Sequence, residues 1–364
     1  MSQEAYLTIN LKSLAHNYNV LRSKINGETL LIAVVKANAY GSDGVKIAKE
    51  LSALGTDYFA VAYASEGINL RKAGIKKPIL VFYPQKGQLE KLIEYNLEPA
   101  LYSKEIIHSF LALVNKNTLN KYPVHLKCNT GLNRIGISIN ELNEVLNILD
   151  ESSLEVKSVY SHLGASENKK PCAFTKKQIE SFELIKKQIL KRYKNPPKLH
   201  LLNSSGIFNY PELKYDAVRT GIALYGFANR TEWDAELKPI AKLSAPLCQI
   251  HHLNKGESVG YNQGWVATKN SIIGVIPVGH ADGIGRQYGN GIGTVQINGK
   301  PASIIGNVCM DMLMIDVSAI DCKTGDEVVF FDENTTAVDF TASANTISYE
   351  ILTGLNNRIK RVYI

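Results

Sequence analysis

The sequence predicts an α/β fold: a (β/α)8 TIM-type barrel over residues 11–235, and a mostly antiparallel β domain formed by residues 1–10 and 236–364. Three observations predict it. The length of 364 residues favours two domains. Eight short apolar runs alternate with helical segments. After about residue 235 this alternation gives way to short strands divided by turn residues.

The eight apolar runs fill the first two thirds of the chain and are rich in branched residues. In order they are "LLIAVVKA", "YFAVAY", "PILVFY", "EPALYS", "PVHLKCN", "VKSVYSH", "KLHLLNSS" and "DAVRTGIALYG". Segments with helical apolar spacing, such as "ELNEVLNILD" and "FTKKQIESFELIKKQIL", lie between most of them. Alternating strands and helices indicate a parallel sheet, and eight units over about 220 residues fit a barrel that typically uses ~250.

The remainder of the chain has short strands divided by Gly, Asn and Asp turns. The strands lie in "SIIGVIPVGH", "GIGTVQINGKPASIIG", "CMDMLMIDVS" and "GDEVVFFD". The segment "NGK" has a composition typical of a hairpin turn. The first ten residues, "MSQEAYLTIN", also resemble a strand, and we expect them to pair with this second domain.

Composition excludes several classes of protein. The net charge is +7, from 41 basic and 34 acidic residues, but the lysines are spread over predicted helix faces, which favours a solvated surface over a nucleic-acid site. The N-terminus has no apolar segment after a basic one, and no apolar run approaches the ~20 residues that span a bilayer. The five cysteines form no CxxC pair, which argues against disulfides and bound metal and predicts a cytoplasmic protein.

Polar residues cluster where the predicted barrel strands end, and in such barrels the active site lies at the carboxyl ends of the strands. They are Lys36, Lys127, Asn129, Arg134, His162, Asn203, Ser204, Ser205, Arg219, Thr220 and Gly221. Each has an ordinary structural explanation: a histidine can be hydrogen-bonded, a serine can cap a helix, and an arginine can pair with a carboxylate. Together, two lysines, two arginines and a histidine with few carboxylates predict a site for an anion.

The loops after strands seven and eight commonly bind phosphate in this fold. Here "NSSG" and "RTGI" supply hydroxyls and a glycine that lets backbone N–H groups approach closely. A lysine beside other cations in a partly apolar site has a lowered pKa and can form a Schiff base. A phosphate anchor together with Lys36 therefore indicates pyridoxal 5′-phosphate as the cofactor.

Nine motifs in order resemble the alanine racemase family across nearly the whole chain. They are "AVVKANAYG", "HLKCNTGLNRIG", "SHLGAS", "NSSGIF", "AVRTGIALYG", "ESVGYNQGW", "HADGIGR", "GNVCMDMLMIDV" and "ISYEILTGLNNRIKRVY". The resemblance implies a barrel plus a β domain, in agreement with the pattern of elements. It also implies pyridoxal-phosphate-dependent interconversion of L- and D-alanine, supply of D-alanine for peptidoglycan, and a homodimer with shared active sites.

The resemblance also implies roles for individual residues. Lys36 carries the cofactor and is one acid/base group, and Tyr261, reaching in from the other subunit, is the second. The cofactor-binding set is Lys36, Tyr40, His162, Asn203, Ser204, Arg219, Gly221, Ile222 and Tyr349, with Arg219 facing the pyridine nitrogen. Arg134 and the backbone N–H of Met310 match groups that bind the substrate carboxylate, and Lys127 matches a lysine that many members carry as a carbamate.

Elementary chemistry supports two bases. Racemisation removes a proton from one face of the α-carbon and returns one to the other, which two groups on opposite faces accomplish without crossing the plane. Lysine and tyrosine both have reference pKa values near ~10, so both must be lowered, and clustered positive charge lowers them. Arg219 is permanently charged and cannot give its proton to the ring nitrogen.

The sequence departs from the family pattern at a few positions. Ser42-Asp43 replaces a common His-Gly, Asn129 replaces aspartate, and Asn133 stands where glycine is common. His280 stands where the family has a tyrosine that lines the substrate entrance, which affects the expected substrate range.

Three alternatives stay open. The first is a racemase of the same family that acts on serine or a broader range of amino acids. The second is a fold-related decarboxylase of basic amino acids, although these place a carboxylate against the pyridine nitrogen where this sequence has Arg219. The third is a non-catalytic carrier of pyridoxal phosphate built on the barrel alone, against which the second domain and Tyr261 argue.

Overall fold

The computed structural model describes residues 4–168, 170–213 and 215–364. The chain divides into two units by its internal contacts. The barrel unit comprises Ala15–Ala39 and Gly44–Leu237, and the β unit comprises Met1–Leu14, Tyr40–Asp43 and Lys238–Ile364. Residues 1–3 of the expected N-terminal strand lie outside the described part of the chain.

Strands β2 to β9 form the barrel, after a first strand, β1 (Tyr6–Ile9), that belongs to the β unit. They are β2 (Leu30–Val34), β3 (Tyr58–Val61), β4 (Ile79–Val81), β5 (Glu98–Leu101), β6 (Tyr122–Lys127), β7 (Leu154–Tyr160), β8 (Lys198–His200) and β9 (Ala217–Thr220). Each pairs in parallel with the next along the chain from β2 to β8, and β9 pairs with β2. Backbone bonds from Asp216 N to Leu199 O (3.0 Å) and from Arg219 N to Leu202 O (3.1 Å) join β8 to β9.

Helices occupy most of the connections between these strands. They are Leu11–Ser23, Gly44–Ala53, Ala64–Lys72, Leu89–Glu94, Lys104–Lys116, Leu142–Asp150, Ala173–Arg192, Ser204–Asn209 and Thr231–Asp234, with 3-10 turns at Lys86–Gln88 and Ile222–Tyr225. The helix Leu142–Asp150 shows why they form. Its buried residues, Leu142, Val145, Leu146 and Leu149, recur at helical spacing and place one apolar face against the sheet layer.

The β unit contains a nine-stranded sheet in the order β11-β14-β17-β16-β15-β18-β10-β1-β19. Its further strands are β10 (Ala241–Pro246), β11 (Gln249–Leu253), β12 (Ser258–Val259), β13 (Trp265–Val266), β14 (Ser271–Ile276), β15 (Thr294–Ile297), β16 (Lys300–Ile305), β17 (Leu313–Asp316), β18 (Glu327–Phe331) and β19 (Lys360–Tyr363). Strands β12 and β13 form a separate pair. Strand β1 pairs antiparallel with β10 and parallel with β19, and the other pairs of the large sheet are antiparallel.

Turn chemistry sets the register of the β15–β16 hairpin. Ile297 pairs with Lys300, so the loop is the two residues Asn298 and Gly299. Both have positive φ, 49° and 73°, as a type I′ turn requires. Helices Ala337–Ala342 and Ser348–Gly354 and 3-10 turns at Tyr261–Gln263, His280–Asp282 and Arg286–Tyr288 complete the unit.

These observations confirm the predicted fold class, a parallel eight-stranded barrel and a mostly antiparallel β domain. Three strands end earlier than the sequence indicated: β2 at Val34, β7 at Tyr160 and β8 at His200. Two of the polar residues that follow lie outside regular strand structure for a local reason: Lys36 begins a turn, and Asn203 caps a helix. None of the helices among the described residues is long and apolar enough to cross a membrane.

Gly41 allows two segments of backbone in the β unit to pack closely. Gly41 has φ +81°, and a Cβ at this position would lie 2.1 Å from the carbonyl oxygen of Leu352. Gly256 has φ +96° but nothing within 4 Å of such a Cβ. We expect Gly256→Ala to cost about 1 kcal/mol through backbone strain alone, and Gly41→Ala to cost at least about twice as much. Urea unfolding midpoints of both variants measure this, and equal shifts would show that the close approach is absent.

Candidate active site

The segment after β2 adopts an uncommon left-handed turn. It begins at Lys36, and four consecutive residues have φ between 51° and 54°: Ala37, Asn38, Ala39 and Tyr40. For residues with a Cβ this conformation costs roughly 1–2 kcal/mol each. Such strain persists only where surrounding structure enforces it, and it is concentrated at functional sites.

Two side chains hold this turn in place. The Glu66 carboxylate accepts hydrogen bonds from Ala37 N (2.6 Å) through one oxygen and from Ala62 N (2.7 Å) through the other. It thereby ties the end of β2 to the end of β3. The Asn38 side chain accepts from Gly44 N (2.8 Å), which anchors the turn to the start of the next helix.

The Lys36 amine lies in an environment that favours its neutral form. Burial lowers the pKa of Lys36, and the positive charge of Arg134 lowers it further, with the Glu66 carboxylate opposing both. A neutral amine is a nucleophile and a base, whereas an ammonium is neither. The geometry therefore prepares Lys36 for covalent or acid/base chemistry.

Arg219 is the charge around which the barrel's carboxyl end is arranged. It is 3% exposed, and among the described residues no carboxylate lies within ion-pair distance of it. Its guanidinium donates to His200 Nδ1 (2.6 Å), Ser161 O (2.6 Å), Leu201 O (3.0 Å) and His162 Nδ1 (3.1 Å). Burial lowers the pKa of Arg219 to about 10, so the group keeps its charge at neutral pH.

This charge keeps the neighbouring histidines neutral. Burial lowers the pKa of both His162 and His200 well below its usual value, and Arg219 is the next largest cause for each. Because arginine only donates hydrogen bonds, the Nδ1 atoms facing it must be acceptors. Both rings therefore carry their single proton on Nε2.

Aromatic stacking packs the same end of the barrel. The Tyr160 and His200 rings are stacked, with centroids 4.7 Å apart. The Arg219 guanidinium and the Lys127 amine each lie 5.2 Å from the centre of the Tyr160 ring. The Lys127 amine also donates to Cys128 O (3.1 Å). Burial, with smaller effects of Arg219 and Arg134, lowers the pKa of Lys127 to about 7.

The segments that follow β8 and β9 meet at Ser204. Its hydroxyl oxygen accepts from Gly221 N (3.0 Å) and from Ala223 N (3.4 Å), at the start of the 3-10 turn Ile222–Tyr225. Asn203 caps the helix Ser204–Asn209 by accepting from Gly206 N (3.0 Å). The predicted phosphate-binding residues of the barrel unit are thus collected in one corner, and Asn203 has a structural role there as a helix cap.

Of the remaining predicted site residues, Arg134 lies in the barrel unit in the loop after β6, and the other four lie in the β unit. Tyr40, which is buried, contacts Tyr349 with ring centroids 6.0 Å apart. Tyr261 and Met310 line a groove of about 790 Å3 together with Asp311. The side chain of Tyr261 is 72% exposed and that of Met310 is 59% exposed, which is unusual for residues of this size and apolarity.

The structure accommodates two of the departures from the family pattern. Asn133 has φ 56°, a conformation that asparagine tolerates better than most residues, so it can replace glycine there. Asn129 accepts from Gly131 N (3.0 Å) and Asn133 N (3.1 Å), and so orders the loop after β6 as an aspartate would. His280 is exposed and begins a 3-10 turn.

Comparison with known proteins covers the whole chain. The model of the alanine racemase N-terminal domain matches residues 9–229, and that of the C-terminal domain matches residues 240–363. An alanine racemase of Carboxydothermus hydrogenoformans is 36% identical over 98% of both chains. The crystal structure of alanine racemase from Streptomyces lavendulae has a TM-score of 0.94 at 28% identity, covering 100% of this chain and 98% of that one. The structure from Bartonella henselae, which has covalently bound pyridoxal phosphate, has a TM-score of 0.90 at 30% identity and full coverage of both chains.

A parallel barrel with a cationic carboxyl end, continued by a β domain, agrees with these matches in defining the chain as an amino-acid racemase, an isomerase. Both family models match in order and together span nearly all of its length. The chain belongs to the alanine racemase family.

Three residues that shape the site were not singled out from the sequence: Glu66, Tyr160 and His200. His200 lies inside the apolar run "KLHLL", and a histidine within a buried strand was the available signal. Glu66 is the third residue of its helix and accepts from Tyr63 N (3.1 Å). This is a capping-box spacing, which is also visible in the amino-acid sequence. Tyr160 carried no signal, since a tyrosine in a strand is ordinary.

Lys127 gives a prediction about pH. The unfolded chain holds the lysine proton up to pH near ~10, whereas the folded chain releases it near pH 7. The charged form therefore costs stability in full below pH 7, and the cost falls as the pH rises toward ~10. We expect Lys127→Met to raise the urea midpoint in bicarbonate-free buffer, and to raise it more at pH 6 than at pH 9.

The control is Lys157→Met on the neighbouring strand β7, where the side chain is exposed. Its effect on the midpoint should be small at both pH values. A gain for Lys127→Met that does not change with pH would contradict the assignment of a lowered pKa to this lysine.

Proposed function

We propose that this protein interconverts L-alanine and D-alanine with pyridoxal 5′-phosphate. The observation that carries the proposal is the pairing of Lys36, whose pKa is lowered, with an Arg219 charge that no described carboxylate neutralises, in a chain of the alanine racemase family. In a cell this activity supplies D-alanine for peptidoglycan.

The residues present fit this cofactor. Its aldehyde requires a neutral amine, which the environment of Lys36 favours. Its phosphate requires backbone N–H groups and a hydroxyl, which the corner of Ser204, Gly221 and Ile222 contains. The residues that would hold it are Lys36, Tyr40, His162, Asn203, Ser204, Arg219, Gly221, Ile222 and Tyr349.

When bound, the cofactor supplies an electron-poor ring that stabilises negative charge developing at the substrate α-carbon. Arg219 is the residue assigned to the ring nitrogen. Its proton is held far more strongly than that of a carboxylic acid, so it would donate a hydrogen bond to the ring nitrogen without transferring the proton. This limits how far charge is withdrawn from the α-carbon and favours return of a proton there.

Two residues move the proton on opposite faces of the α-carbon. Lys36 Nζ serves one face, and burial beside Arg134 lowers its pKa toward the range where it can accept a proton. The hydroxyl of Tyr261 serves the other face. Arg134 and the Met310 N–H would bind the substrate carboxylate, and among the described residues the Met310 N–H donates to no protein acceptor.

Tyr261 is assigned to the active site of a partner subunit. It is 72% exposed, and it lines one groove with Met310 and Met312, whose side chains are also exposed. Exposed apolar patches of this kind mark interaction surfaces. In a two-fold dimer the exchange is reciprocal, so each site would take Lys36 from one subunit and Tyr261 from the other.

Substrate preference tests the function. Tyr349 and Met310 are the residues assigned to the space around the substrate methyl group, so we expect kcat/KM for alanine to exceed that for serine by at least about 10-fold. The measurement is formation of the opposite enantiomer from each amino acid by the purified protein with added pyridoxal phosphate. A higher kcat/KM for serine would favour a serine racemase of the same family, and no turnover of either would refute the proposal.

Mixing two inactive variants tests the shared site. Lys36→Ala and Tyr261→Phe homodimers should each be nearly inactive. After joint unfolding and refolding, about half of the dimers are hybrids, in which one site carries both mutations and the other carries neither. About a quarter of all sites should then be intact, and activity should recover to about that fraction of the wild-type value.

Lys49→Ala, an exposed lysine on the helix after the Lys36 turn, is the control for loss of a nearby charge and should stay active. Hybrid formation is verified by native mass spectrometry with a tag on one variant. If hybrids form and activity does not return, Tyr261 acts within its own chain or is not the second base.

A further inference from the structure

A continuous line of hydrogen bonds runs through the barrel interior from Arg219 to a carboxylate. Arg219 Nη1 lies 2.6 Å from His200 Nδ1, and His200 Nε2 lies 2.8 Å from Ser158 Oγ. Ser158 Oγ lies 2.6 Å from His125 Nδ1, and His125 Nε2 lies 2.9 Å from Glu98 Oε2. We call Glu98, His125, Ser158 and His200 the Glu98 relay.

The relay is shielded from water along its length. The exposed fractions of its members run from 0% for His200 to 9% for Glu98. Buried polar groups without solvent depend on their protein partners, and an unsatisfied one is costly. Each link therefore constrains the next.

The two ends fix the directions of the outer bonds, and a bond donated by Ser158 to His125 in the middle is part of the proposal below. Arginine only donates, so His200 Nδ1 accepts and His200 Nε2 carries the proton, which it donates to Ser158. The Ser158 hydroxyl is then free to donate to His125 Nδ1, and His125 Nε2–H donates to Glu98. An ionised carboxylate only accepts hydrogen bonds, so Glu98 is a consistent end for the line. With the middle bond so directed, every donor in the line points from Arg219 toward Glu98.

The ends of the relay lie in opposite halves of the barrel. Glu98 is the first residue of β5, whereas His200 is the last residue of β8. His125 and Ser158 are direct neighbours in the register of β6 and β7. The Tyr58 hydroxyl, at the start of β3, adds a second donor to Glu98 Oε2 at 2.8 Å. The carboxylate is thus anchored in the amino-terminal half, away from the strand ends where chemistry occurs in such barrels.

This arrangement solves an electrostatic problem. A carboxylate bonded directly to Arg219 would stabilise the buried positive charge, but it would also place a negative charge next to the guanidinium. In the relay the carboxylate stands three groups away from the guanidinium, with His200, Ser158 and His125 between them. Bonds in such a line polarise one another, so Glu98 still supports the guanidinium.

We propose that Glu98, His125 and Ser158 are positioning residues for racemisation: they fix His200 in its Nε2–H form, and His200 holds the Arg219 guanidinium in the orientation that the reaction requires. The effect on catalysis rests on the function proposed above. The protonation pattern of the relay does not, so it is measured separately.

The first experiment observes that pattern. In protein labelled with [15N]histidine, two-bond 1H–15N correlations at neutral pH distinguish the two tautomers of each ring, with and without added pyridoxal phosphate. His125→Gln and His200→Gln variants assign the two signals among the eight histidines. We expect both rings to be protonated on Nε2 alone. A proton on Nδ1 of His200, or on both nitrogens, would overturn the proposal whether or not the protein racemises alanine.

The second experiment breaks the relay at its centre. Ser158→Ala leaves His200 Nε2–H without an acceptor, so His200 must turn or move its proton to Nδ1, where it would face an Arg219 donor. We expect a shifted His200 signal and a fall in kcat of about 10-fold, with KM changed less than about 2-fold. Ser158→Thr restores the hydroxyl and should restore both readouts. Glu98→Gln keeps an acceptor but removes the charge, and should give a smaller change in the same direction.

Glu183→Gln is the matched control, because the Glu183 carboxylate accepts from Tyr215 at 2.8 Å, as Glu98 does from Tyr58, but lies outside the relay. It should leave the His200 signal and kcat unchanged. If Ser158→Ala and Glu98→Gln lower only the stability, with the His200 signal and kcat intact, the network is structural and the proposal is wrong. If Ser158→Ala does not fold, Glu98→Gln decides by the same two readouts.

Discussion

The Arg219 guanidinium is the constraint on which the barrel's carboxyl end depends, because it is buried and no carboxylate in the described part of the chain bonds to it. A buried charge must be satisfied by hydrogen bonds, and Arg219 uses three backbone carbonyls and two histidine rings. Those bonds keep both rings neutral and fix their tautomers. The same charge contributes to the lowered pKa of Lys127. One side chain thus sets the protonation states of its neighbours.

The left-handed turn that begins at Lys36 is a second energetic cost, and hydrogen bonds close to the turn hold it in place. Four residues in a left-handed conformation have no intrinsic reason to persist, and none of them is glycine. Glu66 and Asn38 hold the turn by bonding its backbone to the end of β3 and to the following helix. The turn places Lys36 just beyond β2 with an amine that favours neutrality, and continues to Tyr40 in the β unit. Strain and a reactive amine therefore coincide at one point in the chain.

The two units divide the candidate chemistry between them. The barrel unit contains the lysine, the arginine and the Ser204 corner, whereas the β unit contains Tyr261 and Met310 on an exposed apolar surface. A tyrosine that is 72% exposed has few contacts of its own to orient it. This exposure is in keeping with the proposal that Tyr261 acts in a partner's site.

Local patterns in the sequence determined the eight barrel strands, the helices between them and the Asn298–Gly299 hairpin, because apolar spacing and turn chemistry act over a few residues. They also placed Lys36, Lys127 and Arg219 near strand ends. Only the tertiary structure decided that Arg219 has no bonded carboxylate among the described residues, and that His125 and Ser158 connect His200 to Glu98. The bonds that connect Arg219 to Glu98 join residues 19 to 42 positions apart, through the register of neighbouring strands. Hydrogen-bond partners depend on that register, and no local pattern encodes it.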